Sequence, residues 1–444
     1  MLTLQSIAVH HRLAESGIRL GDACTCVLAS LDRVEGLLAW NREKAAGKLE
    51  YELMSILRTM LLQFYYWGIV REAPDRQEEF RRFVQRTGIN RYAAEYEEKD
   101  SYKYDVSIIV IGYNHLDYTK TCVASILGQL PEHFTWELIL YNHGSSDGTG
   151  EFFDSIAGAK TIDIAVNGAV PGAQFQAVQG RYIICVTNDV IVGSNALDNL
   201  CRALQEHPDY GWVVPSTPNV SNRQEIPAAY QSVEGFVEFA RENNVYDERR
   251  QEQRVRLCDP VSAFRTMDGR RAYEENYIEI WCCSNMQSFP DDKLSLAMRR
   301  KGLKLILAKD AYCHHFGSVT LKDDLGSMQR QQEFYEEGRK AFLLRWGVDP
   351  WGTGFCYSDV LFQTWAIHIQ DNCAVLGINC GLGANSLKVK EILREGGASG
   401  TILYNGTARE EYLPDLRAIS DRAFLVSGLS DIQKIREGTI LIMA

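Results

Sequence analysis

Residues 106–189 constrain the fold most, because they repeat one pattern three times. Each repeat is a short apolar run followed by a polar turn and then by a helical pattern. Apolar runs of this length are typical of strands that are buried on both faces. Strands that alternate with helices predict a parallel sheet. The three runs cover residues 106–111, 137–141 and 182–186.

Polar residues follow each of the three predicted strands. Ligands of an open parallel sheet bind beyond the carboxyl ends of its strands. We therefore expect a nucleotide site at this edge of the sheet. The candidate residues are Gly112, Tyr113 and Asn114 after the first strand, Asn142, His143, Ser145 and Asp147 after the second, and Asn188 and Asp189 after the third.

Three motifs occur in order, VSIIVIGYNHLDYTKTCVASIL, ELILYNHGSSDGT and GRYIICVTNDVIV. Together they resemble the family 2 glycosyltransferases of the GT-A fold, over residues 104–350. The resemblance implies an α/β fold with a mostly parallel sheet flanked by helices. It also implies an inverting enzyme that moves a sugar from a nucleotide-diphosphate donor to an acceptor hydroxyl, in cell-surface polysaccharide or glycoconjugate synthesis.

The resemblance implies a divalent cation, Mn²⁺ or Mg²⁺, as cofactor. Such a cation stabilises charge on the leaving diphosphate as a Lewis acid. Asp189 is the first expected ligand, because the family ends this strand with N-N-D or D-x-D, where this chain has Thr187-Asn188-Asp189. His315 is the second, by register with a late histidine motif of the family, and His314 is the alternative. Neighbours on a strand face opposite ways, so we expect only one of the two in the site.

Asp291 and Asp292 match the acidic pair that begins a late helix in the family. By register, Asp291 is the expected general base, and capping of the helix is the alternative role for either carboxylate. Asn142 and His143 replace family acids, and Asn142 is placed to contact the nucleotide base. Because of this departure the motif does not identify the nucleotide. UDP is the first candidate, and dTDP and GDP are the alternatives. Asp147 either contacts the nucleotide or holds its turn by an Asx-type bond.

The composition excludes other classes of protein. A net charge of −11 argues against a nucleic-acid-binding surface and against a polybasic anchor. The apolar stretch at residues 60–70 is shorter than the roughly 20 residues of a membrane span, and we identify no signal peptide. The 12 cysteines form no C-x-x-C pair, which is typical of reduced cytosolic thiols. We therefore expect a cytoplasmic protein, either free or peripheral at the inner face of the membrane.

We expect a helical region at residues 1–100, the GT-A domain at residues 104–350 and a small α/β segment at residues 360–444. The last segment resembles the start of a Rossmann-type methyltransferase, but Asn405 replaces the expected acid. We favour a non-catalytic appendage or a piece of a longer protein. Residues 238–256 are strongly charged, which favours a solvated helix face over a mobile lid.

Three functions remain open at this point. The first is the glycosyltransferase, with a nucleotide-sugar donor and a carbohydrate, lipid-linked or protein acceptor as partners. The second is a catalytically degenerate binding module, because several family acids are replaced. The third is a methyltransferase that acts through the C-terminal segment. A second copy of the chain is a further candidate partner.

Overall fold

The computed structural model describes residues 20–60, 102–170, 172–258, 260–273, 289–317, 328–352, 354–358, 373–398, 400–432 and 439–443. The fold is mixed α/β, with a large sheet flanked by helices and a small parallel sheet in the C-terminal part. The expected fold class is confirmed. The expected N-terminal helices are described over residues 20–60, and the rest of that region lies outside the described residues.

The strands are β1 (Tyr104–Gly112), β2 (Trp136–Asn142), β3 (Lys160–Asp163), β4 (Gly180–Thr187), β5 (Val190–Val192), β6 (Tyr210–Ser216), β7 (Gln251–Arg254), β8 (Val261–Arg265), β9 (Lys304–His315), β10 (Ala374–Ile378), β11 (Ile402–Thr407), β12 (Arg422–Leu425) and β13 (Thr439–Met443). The α-helices are α1 (Leu20–Leu38), α2 (Arg42–Gly47), α3 (Leu116–Gly128), α4 (Thr149–Ser155), α5 (Ala173–Gln176), α6 (Ala196–Glu206), α7 (Val233–Asn243), α8 (Thr266–Tyr273), α9 (Pro290–Arg300), α10 (Met328–Trp346), α11 (Ala384–Glu395), α12 (Leu413–Arg417) and α13 (Leu429–Ile432). A π-helical turn covers Lys48–Leu53, and 3₁₀ turns cover Glu248–Arg250 and Glu410–Tyr412.

The chain forms two compact units, and the first comprises residues 1–192, 260–287 and 315–328. Its strands lie in the order β3-β2-β1-β4-β8. The first four of these are parallel, and β8 is antiparallel to β4. The middle of β1 is fully buried at Ile108, Ile109 and Val110. This burial on both faces is the reason for its unbroken apolar run.

The second unit comprises residues 193–259, 288–314 and 329–444. Within it β9 pairs in parallel with β6 and antiparallel with β7. The small sheet has the order β12-β11-β10-β13, with all strands parallel. One buried core joins helix α9 to this sheet through side chains such as Leu296, Phe342 and Leu387. The two units cut across the expected ranges 104–350 and 360–444, which stay a prediction about separate domains.

The charged run at residues 238–256 is not a continuous solvated helix face, and that expectation is wrong. Helix α7 ends at Asn243, and the run then enters strand β7. Glu252 on this strand is fully buried and lies 2.9 Å from Arg254 Nε and 2.6 Å from Lys309 Nζ. Burial alone would raise the pKa of Glu252, but the surrounding cations outweigh it and lower the pKa to about 2. Charge counting alone cannot separate a solvated charge from a compensated buried one.

None of the described helices is long and apolar enough to cross a membrane. All ten described cysteines carry free thiols.

The C-terminal sheet is attached by a buried ion pair that mutation can test. Asp415 has no exposed side-chain surface and contacts Arg299 at 3.1 Å and Arg300 at 2.8 Å. Removing one partner leaves a buried charge uncompensated, so we expect Asp415→Asn to lower the free energy of unfolding by about 3–5 kcal/mol. Chemical denaturation of the variant and the parent protein measures this change.

The matched control is Asp209→Asn. Asp209 and its partner Lys304 are both nearly half exposed. Exposed pairs contribute about 0–1 kcal/mol, so the control should unfold nearly like the parent. An equal decrease in the free energy of unfolding of Asp415→Asn and Asp209→Asn would contradict a special contribution of the buried pair to stability.

Candidate functional site

The carboxyl ends of three parallel strands meet at one edge of the first unit. Gly112 at the end of β1 is in register with Asn142 at the end of β2, and Ile111 is in register with Thr187 at the end of β4. The predicted strand-end residues are therefore neighbours, although they are up to about 75 positions apart in the sequence. Gly112 itself is needed for packing, since a Cβ there would lie 2.9 Å from the Phe153 ring. Tyr113, directly after β1, is half-exposed.

Asn114 connects all three turns. Its backbone adopts φ 53°, a left-handed conformation that Asn tolerates better than most residues. Its N–H donates to Ser145 Oγ at 2.9 Å, and its side-chain oxygen accepts from Ser146 N–H at 2.9 Å. The buried Asn188 side chain donates to the Asn114 carbonyl at 2.9 Å and to Thr119 Oγ1 at 2.8 Å. The turns thus form one hydrogen-bonded group.

Asn142 is buried, with 6% of its surface exposed, and both ends of its amide are engaged. Its Oδ1 accepts from Ser145 N–H at 3.1 Å, and its Nδ2 donates to Asp163 Oδ1 at 2.9 Å. In this arrangement Asn142 shapes the turn and does not present its amide outward. Asp163, which the sequence analysis missed, ends β3 directly across from Asn142. The signal was available, since an acid follows the apolar Ile162 at a strand end, but the run is only four residues long.

Asp147 holds the turn together. Its Oδ1 accepts from the Thr149 hydroxyl at 2.7 Å and from Thr149 N–H at 3.1 Å, at the first residue of helix α4. Its Oδ2 accepts from Leu116 N–H at 2.8 Å, at the first residue of helix α3. One carboxylate therefore serves the N-termini of two helices, where negative charge is stabilising. Both oxygens are engaged in the way that the Asx-type alternative requires.

His143 lies beside the strand ends and is half-buried, with its Nε2 shielded from solvent. The ring lies edge-on to Tyr141 at 4.3 Å between centroids, and its Nδ1 is 3.2 Å from Asn167 Oδ1. Burial lowers the pKa of His143 to about 4, against the smaller effect of Asn167. The imidazole is therefore neutral at physiological pH. The next residue, Gly144, has φ 83°, where a side chain would be strained.

Asp189 and His315 are in contact in the first unit, and both side chains are of types that bind metal ions. His315 Nε2 lies 3.3 Å from Asp189 Oδ2, and each residue is only 7% exposed. The Thr187 hydroxyl donates to Asp189 Oδ1 at 2.8 Å, and Phe316 N–H donates to the Asp189 carbonyl at 3.0 Å. Burial alone would raise the pKa of Asp189, but its bonds to His315 and Thr187 outweigh burial and hold the pKa below its ordinary value. Asp189 is therefore a carboxylate at neutral pH.

This donor set fits a divalent cation. Adjacent octahedral ligands at about 2.1 Å from a metal lie about 3 Å apart, close to the 3.3 Å between the Asp189 and His315 atoms. His314 is oriented differently. Its Nδ1 lies 2.5 Å from Tyr230 Oη, in an aromatic group with Phe236 and Tyr312. Of the two histidines, His315 is the one that contacts Asp189.

Asp291 and Asp292 begin helix α9 in the second unit, after Pro290 at its first position. Asp292 is 1% exposed, and its Oδ1 lies 2.6 Å from Arg256 Nε. Asp291 is half-exposed. The two acids thus differ in burial, and Asp292 is the more buried of the two.

A further cluster of side chains that can bind a metal lies in the second unit. It joins the end of helix α6 to the 3₁₀ turn Glu248–Arg250. Glu206, His207 and Glu248 place one atom each within 4.8 Å of one another. The cluster is largely exposed, and Glu206 is already bound by Arg202 at 2.6 Å and by Tyr246 at 2.7 Å. It includes none of the predicted ligands.

The glycine-rich turn of the C-terminal segment is filled by the chain itself. Ala384 N–H, at the start of helix α11, donates to the Gly354 carbonyl at 3.2 Å. A ligand phosphate would use the same N–H groups. Asn405 is also occupied, since it bonds Ser386 at 2.7 Å and Ser420 at 2.8 Å. These contacts favour the non-catalytic interpretation of the segment, which stays a prediction.

The lowered pKa of His143 predicts a pH dependence. An exposed histidine titrates near pH 6.5, so between pH 6.5 and about 4 the unfolded chain binds a proton that the folded chain does not. The contribution of His143 to stability is complete above this window and is lost as the pH falls through it. We expect His143→Gln to reduce the loss of stability between pH 7 and pH 5, measured by chemical denaturation. An imidazole NMR titration midpoint above pH 6 would contradict the shielding of the ring from solvent.

Distant similarities to solved structures were found. The chain is similar to GalNAc-T7 crystallised with UDP, GalNAc and Mn²⁺, at 12% identity and a TM-score of 0.37, over 48% of this chain and 43% of that chain. It is similar to S. aureus TarS in complex with UDP-GlcNAc, at 16% identity and a TM-score of 0.33, over 47% of this chain and 58% of that chain. The chain thus spans about half the length of these two proteins. A mannosyltransferase from Pyrobaculum calidifontis in complex with GDP-Man and Mn²⁺ is similar at 15% identity and a TM-score of 0.37, over 60% of this chain and 75% of that chain.

No curated protein matches the sequence. A family model does match part of it, and the match begins in β1 and ends within α8. It therefore includes the three turns and Asp189. Residues 107–271 match the model of glycosyl transferase family 2.

Proposed function

We propose that the protein is an inverting glycosyltransferase that moves a sugar from a nucleotide-diphosphate donor, with UDP as first choice, to an acceptor hydroxyl. The observation that carries this proposal is the contact between Asp189 and His315. Asp189 lies in the turn after β4, within the stretch that matches a glycosyltransferase family model. Transfer by single displacement inverts the sugar's anomeric centre and requires one base but no covalent intermediate.

The donor's nucleotide would bind at the carboxyl ends of β1, β2 and β4. Tyr113 is half-exposed beyond β1, where its ring is available to a nucleotide base. Asn114 and Asn188 fix the surrounding main chain through their mutual hydrogen bond. Asn142 acts from behind the turn, because its amide is committed to Ser145 and Asp163. The strand-end turns are therefore held by bonded amides and hydroxyls and by the Asp147 carboxylate.

Asp189 and His315 would hold Mn²⁺ or Mg²⁺, which when bound offsets the charge that gathers on the leaving diphosphate. Neighbouring residues hold Asp189 in the orientation and the charge state that a cation requires. Thr187 orients the Asp189 carboxylate through its hydroxyl, and the low pKa of Asp189 keeps the carboxylate ionised. Both residues are largely buried, so few waters compete for the ligand atoms.

Asp291 would act as the general base that takes the acceptor's proton. Asp291 lies at the start of helix α9 and is partly exposed, although its Oδ1 is buried. Asp292 is the weaker candidate, because Arg256 binds its buried carboxylate. In a helix, successive side chains point about 100° apart, so the two acids do not serve the same direction.

The acceptor would be a carbohydrate, a lipid-linked molecule or a protein, within cell-surface polysaccharide or glycoconjugate synthesis. The proposed location is the cytoplasm or the inner face of the membrane. The alternative is a catalytically degenerate module that binds carbohydrate or a partner. The buried, fully bonded Asn142 favours this alternative, since the family places an acid there. Hydrolysis of a nucleotide sugar with Mn²⁺ would support the enzyme over the module.

The metal assignment is tested by Asp189→Ala. We expect the variant to lose the Mn²⁺-dependent part of UDP binding, by more than about 100-fold, because even outer-shell partners of metal ligands are worth about 10- to 100-fold. Calorimetric titration with UDP, with and without Mn²⁺, measures this difference. The control is Asp209→Ala, which removes an exposed acid directly before strand β6 in the second unit. Binding of UDP and Mn²⁺ as tight as in the parent protein would rule out Asp189 as a ligand.

The base assignment is tested by comparing the two neighbouring acids. Asp291→Asn should keep donor affinity and lower kcat by about 10²- to 10⁴-fold, the usual contribution of a general base. Asp292→Asn should instead lower the free energy of unfolding by about 3–5 kcal/mol, because it leaves Arg256 without its buried partner. Its kcat per folded molecule should stay close to that of the parent. If Asp292→Asn loses kcat while Asp291→Asn keeps it, Asp292 and not Asp291 is the general base.

A further inference from the structure

We infer that Lys48 and Glu52, in the N-terminal helical region, are positioning residues for the nucleotide-binding turn at residues 142–149. They lie outside the stretch that matches the family model. They act through Asp163 and Asn142, and they touch neither the turn itself nor the Asp189–His315 pair in the contacts described above. This inference rests on the proposed function, because it assigns the turn to the donor nucleotide.

The two residues occupy an unusual piece of helix. The helix that begins with α2 passes through the π-helical turn Lys48–Leu53 and continues to residue 60. Single π-helical turns are rare within α-helices, and those that occur often lie at functional sites. Within this turn the Lys48 ammonium and the Glu52 carboxylate lie 2.9 Å apart, and both side chains are buried. Burial of two charges on a helix requires partners on a neighbouring element.

The partner is the end of strand β3. Lys48 Nζ donates to Asp163 Oδ2 at 2.7 Å, and Glu52 Oε2 accepts from Asp163 N–H at 2.9 Å. Arg33 on helix α1 donates to Glu52 Oε1 at 2.6 Å and to the Asp163 carbonyl at 2.8 Å. The main chain and the side chain of Asp163 are therefore both held by the N-terminal helices. Asp154 completes the charge balance at 3.3 Å from Lys48.

Asp163 passes this constraint to Asn142. A carboxylate only accepts hydrogen bonds, so the Asn142 amide must turn its NH₂ group towards Asp163. Its carbonyl oxygen then faces Ser145 N–H, which it accepts at 3.1 Å. Gly150 leaves the space for this pair, because a Cβ there would lie 2.8 Å from Asn142 Nδ2. Loss of the acceptor on β3 would free the amide to rotate and would remove the bond that fixes Ser145.

Ser145 extends the relay to the first strand. Its hydroxyl accepts from Asn114 N–H at 2.9 Å, and Asn114 in turn binds Ser146 and Asn188. An unbroken chain of hydrogen bonds thus runs from a buried lysine on the N-terminal helix to the turns after β1, β2 and β4. Residues coupled through such a chain change a site's affinity by about 0.5–2 kcal/mol, which corresponds to about 2- to 30-fold.

The experiment compares Lys48→Met with Lys44→Met. The control makes the same substitution four positions earlier on the same helix, where Lys44 is partly exposed and lies 3.7 Å from Asp154. Hydrogen exchange of the peptide over residues 142–149 is measured without ligand, together with the Kd for UDP in the presence of Mn²⁺. We expect Lys48→Met to speed exchange in this peptide and to weaken UDP binding by about 3- to 30-fold, with no change in Lys44→Met.

A second variant covers the case in which Lys48→Met does not fold. Lys48→Met/Glu52→Gln removes one charge of each sign, so the buried group stays balanced while Asp163 loses its ion pair. It should show the same faster exchange. If Lys48→Met and the double variant leave exchange in 142–149 unchanged, the inference is wrong, even where the melting temperature falls. That outcome would show a cluster that only stabilises the N-terminal helices.

The two proposals fail in different ways. If the parent protein binds no UDP, GDP or dTDP, the proposed function fails, and hydrogen exchange still decides whether the N-terminal helices hold the turn. If the parent binds UDP and the exchange changes but the Kd does not, the relay does not set donor affinity and the inference is overturned.

Discussion

The parallel pairing of β1 with both β2 and β4 is the constraint on which the site depends. The register sets Gly112 beside Asn142 and Ile111 beside Thr187, so three distant turns meet at one edge. Buried apolar strands fix that register, because a shift of one residue would turn every side chain to the opposite face. The turns are bonded to each other by backbone groups, by the amides of Asn114, Asn142 and Asn188, by the Ser145 hydroxyl and by the Asp147 carboxylate.

Charge at this edge is placed differently from the pattern that the family resemblance implies. The strand-end position of β2 carries the neutral Asn142, and the acid lies across from it at Asp163 on β3. That acid is compensated by Lys48 and is not free for a ligand. Asp189 is ionised at this edge, and its neighbour His315 is itself a metal-ligand side chain. We therefore propose this pair as the place where a cation binds.

The second unit depends on a different interaction. Helix α9, whose second residue is Asp291, is packed in one core with the C-terminal sheet and is tied to helix α12 by Asp415. The C-terminal segment thus supports the helix of the proposed base, while its own glycine-rich turn is filled by the Gly354 carbonyl. A glycine-rich turn that resembles a ligand site in the sequence is here bonded to another part of the same chain. The reason is that the N–H groups at a helix start donate to any well-placed oxygen, from a phosphate or from the protein itself.

The sequence by itself determined the apolar strands β1, β2, β4 and β10, the order of the turns and the residue types that follow these strands. Apolar runs and glycine-rich turns are local signals, so β1, β2, β4 and β10 lie where the pattern predicts them. The sequence did not decide which polar groups are free, because that depends on partners far along the chain. Asp163 binds Lys48 from 115 positions away, Glu252 is buried among cations in a stretch that looks solvated, and His315 rather than His314 meets Asp189. Whether a charge is a ligand, a support or a surface group is set by desolvation and by its nearest opposite charge, and only the tertiary structure supplies both.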